Sequence, residues 1–166
     1  MTSITDTASR LDRVVLEGES PNNLSPFIEA DREQAVVDLA AANHFAPLIG
    51  TDKPGPYALH LSILEGRLIF DIRNVGGDPL IAVGLALGPF RRLVKDYQML
   101  IDSHIKAVEE GHEHRIQAID MGRRGLHNEG ADLMTQRLAG KIDIDFDTAR
   151  RLFTLVCVLH QRVSSR

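Results

Sequence analysis

The densest group of reactive side chains lies between Asp120 and Ala131. In the run Asp120-Met-Gly-Arg-Arg-Gly-Leu-His-Asn-Glu-Gly-Ala131, two arginines, a histidine, an amide and two carboxylates stand among three glycines. On a helix turning about 100° per residue, Arg123 and His127 share a flank, with Asp120 and Arg124 beside them. A guanidinium and an imidazolium on one face can grip a phosphate or carboxylate together. Arg123, Arg124 and His127 are therefore the candidate anion ligands, with Asp120 fixing their orientation. The plainer reading is structural. Asp120 pairs with Arg123 or Arg124 along the helix, and Arg123 meets a carboxylate from the sheet.

Other groupings invite chemistry and carry less of it. His60 falls opposite Asp71 if the strands around them form a hairpin. A carboxylate that orients an imidazole is the core of a general base. The neighbouring Ser62 lies about 7 Å along the same face, too far to serve as its nucleophile unaided. A cross-strand ion pair facing solvent explains His60 and Asp71 more simply. His127-Asn-Glu129 is no metal site on a regular helix, because its two ligands point about 160° apart. Asp143-x-Asp145-x-Asp147 alternates like a calcium loop but lacks the glycine and the distal glutamate. Helix capping accounts for these acids. Gly122-x-x-Gly125 has neither the preceding strand nor the ending of a phosphate loop, and suits tight helix packing. Cys157, with only His160 near it, reads as a structural thiol. His104 lies on an apolar face and reads as a core histidine. Three arginine pairs, Arg91-Arg92, Arg123-Arg124 and Arg150-Arg151, could align as one basic surface for RNA or an acidic partner. The simpler expectation is separate pairing with Asp96, Asp120 and Asp147.

These residues are positioned by elements the pattern makes legible. A polar tail over residues 1–10 precedes a short strand over 11–17. Pro21 to Pro26 is a loop, and Ser25 followed by Pro26 opens a helix over about 27–43, ending near Asn43. His44 to Pro56 is rich in proline and glycine and reads as a connector. Tyr57–Leu64 and Arg67–Arg73 form a hairpin around Glu65-Gly66. A two-residue turn pairs Leu64 with Arg67, and puts Leu59, Leu61, Ile63, Leu68, Phe70 and Ile72 on the core face. Leu80–Leu87 is a third strand. Gly88-Pro89 opens a helix with a face of Phe90, Leu93, Val94, Tyr97, Ile101, His104, Ile105 and Val108, closed by Gly111. A second long helix runs from about Glu113 to Leu138. Gly130 lies in its apolar stripe and permits close approach of another element. After a short extended link at Ile142–Asp145, Asp145 or Asp147 caps a last helix faced by Phe146, Ala149, Leu152, Phe153, Val156, Leu159 and Val163. Strands then helices predict an α+β fold. It is a small antiparallel sheet (hairpin 57–73 plus strand 80–87, joined by 11–17) packed against three to four helices, one globular domain over 11–166.

Composition narrows the function classes. The 166 residues are 43% hydrophobic and 25% charged, with net charge -4, which argues against a dedicated nucleic-acid binder. One cysteine excludes an internal disulfide and suits a reducing, cytoplasmic setting. No apolar run is long enough to span a bilayer. No motif calls for a metal or cofactor. Phe90-Arg-Arg-Leu-Val-Lys-Asp-Tyr97, Ala118 to Gly130, and Gly140-Lys-Ile-Asp-Ile-Asp-Phe-Asp-Thr-Ala-Arg-Arg-Leu-Phe-Thr-Leu-Val-Cys-Val-Leu-His160 closely resemble the uncharacterised protein family (UPF) 0262 of alphaproteobacteria. The hairpin segments Gly55–Leu61 and Leu68–Ile72 fit as well. The resemblance implies a bacterial cytosolic protein and no activity, so no functional residue is carried over from it. The favoured function is a non-catalytic binding or regulatory domain for a partner protein or a small anionic ligand. The alternatives are a hydrolase or transferase on a phosphorylated or anionic substrate, and an RNA-contacting protein. A homodimer through helix faces is compatible with the apolar stripes.

Overall fold

The computed structural model describes residues 8–18 and 25–164, with side chains up to Gln161. In chain order the elements are β1 (Leu11–Leu16), α1 (Pro26–Ala41), β2 (Phe45–Pro47), β3 (Tyr57–Leu64), β4 (Arg67–Asn74) and β5 (Pro79–Ala86). A single 3-10 turn (Gly88–Phe90) then leads into α2 (Arg91–Glu110), α3 (Glu113–Leu138), β6 (Ile142–Ile144) and α4 (Phe146–Ser164). The architecture is α+β, as expected. Most of the tail expected over 1–10, and most of the loop expected over Pro21 to Pro26, lie outside the described residues. Ser9 and Arg10 offer main-chain carbonyls to the N–H groups of Phe45 and Tyr57 at 2.9 Å.

The hairpin forms in the expected register, with Leu64 opposite Arg67, His60 opposite Asp71 and Leu59 opposite Ile72. Glu65 and Gly66 both have positive φ, 51° and 75°. That handedness matches a two-residue turn to the twist of the strands it joins. Leu59, Leu61, Leu68, Phe70 and Ile72 are fully buried, and Val83 and Leu85 of β5 extend the same apolar face. The sheet order is β1-β3-β4-β5. β1 pairs with β3 in parallel, so the sheet is mixed rather than wholly antiparallel. Parallel neighbours need a long crossover, and here α1 supplies it. The expected connector at 44–56 begins with an unexpected strand. Phe45↔Ile144 and Pro47↔Ile142 make β2 and β6 a separate two-stranded ribbon, which brings the start of α4 beside the end of α1.

The helices close over the sheet. Ser25 caps α1 by accepting from the Ile28 N–H. Asn43 ends it, donating to the Leu39 carbonyl at 2.7 Å and exchanging hydrogen bonds with both main-chain groups of Leu11 on β1. Gly111, at φ 72°, terminates α2. The Asp145 carboxylate accepts from the Thr148 N–H at 2.8 Å and so opens α4. α4 is central: Leu152, Phe153, Leu155, Val156, Cys157, Val158 and Leu159 are all fully buried, and it packs on α1, α2, α3 and β3. Phe146 and Val108, both expected in the core, are half exposed. Phe146 stands at the open start of α4, and α2 turns Ala107 inward in its last turn instead of Val108.

Candidate functional site

Three helices direct polar stripes into one cleft of about 310 Å³. α1 supplies Asp31, Gln34, Ala35 and Asp38; α3 supplies Asp120, Arg123, Arg124 and His127; α4 supplies Arg150, Arg151 and Thr154. Each set recurs at helical spacing, so each is one flank of its helix. The four residues singled out on α3 therefore line the same cleft. Their roles differ from the expectation.

Arg123 is held by a carboxylate from α1, not from the sheet. Its NH2 group lies 2.7 and 2.8 Å from the two oxygens of Asp31. The Tyr97 hydroxyl of α2 donates to the same carboxylate at 2.8 Å. The tyrosine ring is fully buried, and a buried hydroxyl needs such an acceptor. Burial, and then the Asp31 charge, push the phenol far above its ordinary pKa, so it stays a donor. Asp120 stands 3.6 Å from Arg123 NH1 and 3.6 Å from His104 Nε2, within ion-pair range but beyond a hydrogen bond. The buried Arg123 Nε has no acceptor among the described residues.

His127 is only 7% exposed, and lies edge-on to Tyr97 and Phe153 with ring centroids 5.9 and 5.8 Å away. Its Nδ1 is 3.0 Å from Thr154 Oγ1, whose own proton goes to the Arg150 carbonyl at 3.1 Å. Nδ1 therefore carries the ring proton and Nε2 is left an acceptor. Burial foremost, then the charge of Arg150, lower the His127 pKa to about 4. At neutral pH the ring is an imidazole, so the expected grip by an imidazolium is corrected to a neutral contact.

The remaining cations decide the electrostatics of the cleft. Arg151 lies 3.4 Å from Asp38 and 3.9 Å from Asp147. Arg150 donates from Nε to the Asn128 side-chain oxygen at 3.1 Å and has no carboxylate partner among the described residues. Arg124 is exposed and has no hydrogen bond or ion pair among them. Two of the three arginine pairs thus meet at one cleft. The third does not, because Arg92 is held by Asp96 and Glu129.

The other candidates are accounted for locally. His60 and Asp71 sit opposite each other but bond elsewhere and do not line the cleft. His60 Nδ1 meets Glu17 at 2.5 Å, since the parallel pairing brings the end of β1 beside β3. Asp71 is taken by Arg73, two positions along the same face, at 2.7 Å. Asp143 pairs with His44 at 2.9 Å. Among the described residues no three metal-ligating side chains gather. Cys157 is sealed in the core, where burial raises its thiol pKa well above the ordinary value. Sequence reasoning missed Asp31 and Thr154, and left Arg150 among surface ion pairs. The one signal was Tyr97, whose hydroxyl on an apolar face required a buried acceptor.

Residues 8–162 match the family model described as Uncharacterised protein family (UPF0262). The chain is 64% identical to a UPF0262 protein of Granulibacter bethesdensis, across 94% of this chain and 92% of the relative. It is 59% identical to one of Acidiphilium cryptum, across 92% and 93%. It is 51% identical to one of Brucella canis, across 93% and 95%. No solved structure matches the chain. Among the described residues no helix is long and apolar enough to cross a membrane.

Proposed function

The chain belongs to the Uncharacterised protein family (UPF0262), and we propose that it is a non-catalytic binding domain for a small anionic ligand held between α1, α3 and α4. One observation carries this reading. Arg124 and Arg150 line the same cleft without carboxylate partners among the described residues, while Arg123 and Arg151 beside them are paired. The cleft counts four guanidinium groups against three carboxylates, so it holds positive charge in excess. Like charges gathered in a concave, low-dielectric place raise the local concentration of an anion. The volume falls within the range of small-ligand sites. Arginine forks suit planar or tetrahedral oxyanions. The Thr154 proton is directed to a main-chain carbonyl, which supports binding over nucleophilic catalysis. A cytoplasmic setting goes with this reading, supported by the buried thiol of the one cysteine.

A thermal-shift screen at low ionic strength tests it. An anion that binds the folded chain stabilises it by about 2.7 kcal/mol at a hundredfold excess over Kd. At least one of phosphate, sulfate and citrate should raise the melting temperature of the native chain. The double variant Arg124→Ala, Arg150→Ala should fold, by circular dichroism, and lose the shift. A flat response to all three anions, or an equal shift in the double variant, rejects the reading.

A further inference from the structure

We infer that the cleft takes a small phosphate monoester bearing hydroxyl groups, a phosphorylated polyol, with the phosphate between Arg124 and Arg150. The inference rests on the anion-binding reading above and goes further by naming the ligand class. The first argument is a count of donors. Arg150 uses Nε on Asn128, and neither of its terminal nitrogens has a protein acceptor among the described residues. Arg124 uses none of its donors there. Arg123 and Arg151 are engaged by Asp31 and Asp38, so the open donors of the cleft are those of Arg124 and Arg150. This wall offers more N–H groups than the protein can satisfy. A phosphate monoester brings three terminal oxygens and a charge near -2, against two oxygens and one charge for a carboxylate. The forks of Arg124 and Arg150, neither with a carboxylate partner among the described residues, suit the three oxygens of the former, in a cleft with one positive charge in excess.

The second argument comes from what faces that wall. Asp38, Gln34 and Asp120 line the rest of the cleft. Among the described residues Asp120 has only the 3.6 Å contacts to His104 and Arg123, so its oxygens have room for another donor. Nε2 of His127 is an acceptor on a ring that lines the cleft. A carboxylate elsewhere on the ligand would meet Asp38 and Asp120 and be repelled. Hydroxyl groups would donate to Asp120, to the Gln34 oxygen and to the imidazole. The space, about 310 Å³, suits a small molecule of this kind.

The test is titration calorimetry on the full chain with ribose monophosphate, ribose, inorganic phosphate, citrate and phosphoethanolamine. Ribose monophosphate should bind at least tenfold tighter than inorganic phosphate, and ribose not at all. Arg124→Ala, at an exposed side chain without a partner among the described residues, should weaken both phosphate ligands about tenfold. Asp120→Asn should weaken ribose monophosphate relative to inorganic phosphate, which should bind at least as tightly because a negative charge leaves the cleft. Tighter binding of citrate or phosphoethanolamine overturns the ligand class and leaves the anion site standing. Equal affinity for ribose monophosphate and inorganic phosphate overturns the hydroxyl contacts. No binding by any of the anions overturns this inference and the anion-binding reading together.

Discussion

Asp31 accepts from Arg123 and Tyr97, and so joins α1, α2 and α3 through one carboxylate. The side chains of Asp31 and Arg123 are each about one-fifth exposed, so solvent screens them partly. Losing a fully buried partner costs about 3–5 kcal/mol, and losing an exposed one under about 1. Arg123→Ala should therefore destabilise the chain by about 2 kcal/mol in urea unfolding, and Asp31→Ala by a similar amount. The double variant should lose much less than both together, because each single variant strands the other's charge. Additive losses would remove Asp31 as the partner of Arg123. The residue scale also shows why the site was half legible. Asp120, Arg123, Arg124 and His127 belong to one helix, and helical spacing alone brings them together. Asp31 is 92 positions from Arg123 and Thr154 is 27 from His127, with no local rule to connect them. The charge state of His127 depends on that same distant packing, so its neutrality was invisible too.

Two glycines of α3 give opposite expectations from one substitution. A Cβ on Gly130 would stand 2.4 Å from the Phe153 ring, so α3 meets α4 there at a distance only glycine allows. Gly130→Ala must push a fully buried aromatic ring on the central helix, and should cost about 1–3 kcal/mol. A Cβ on Gly125 meets nothing within 4 Å. Gly125→Ala should gain up to about 1 kcal/mol, because alanine loses less backbone freedom in a helix. Melting temperatures of the two variants decide the matter, and a shift of the same sign in both would mean that α3 and α4 do not meet as described. At this scale the sequence was most readable where rules are local. The hairpin register follows from a two-residue turn, and the bounds of α2 and α3 follow from Gly111 and periodicity. β2 and β6 have three residues each, too few for a pattern, and their pairing joins positions about a hundred apart. The parallel partnership of β1 with β3 is likewise set by a crossover and leaves no local mark.

At the scale of the whole molecule, the packing that builds the cleft also sets a response to acid. His127 is enclosed by Tyr97 of α2, Phe153, Thr154 and Arg150 of α4, Asp31 of α1 and Arg123 of its own helix. Burial dominates, and Arg150 and Arg123 outweigh the one opposing charge, Asp31, so the folded ring titrates at about 4. In the unfolded chain a histidine titrates near 6.5. A depressed histidine pKa means the fold excludes a proton that the unfolded chain accepts. Its contribution is complete above about pH 6.5, falls as pH is lowered through the interval to 4, and changes no further below it. The width of that interval corresponds to about 3 kcal/mol. His160, half-buried and lowered by burial and then by Arg91, adds a loss of the same sign, which a His127 variant retains. Urea unfolding of the native chain and of His127→Gln, measured at steps from pH 7 to pH 4, separates the two. The native chain should lose about 3 kcal/mol more than the variant across the window. Parallel curves would mean that the meeting of α1, α3 and α4 leaves His127 open to protons, and that the cleft is wetter and less charge-selective than its geometry indicates.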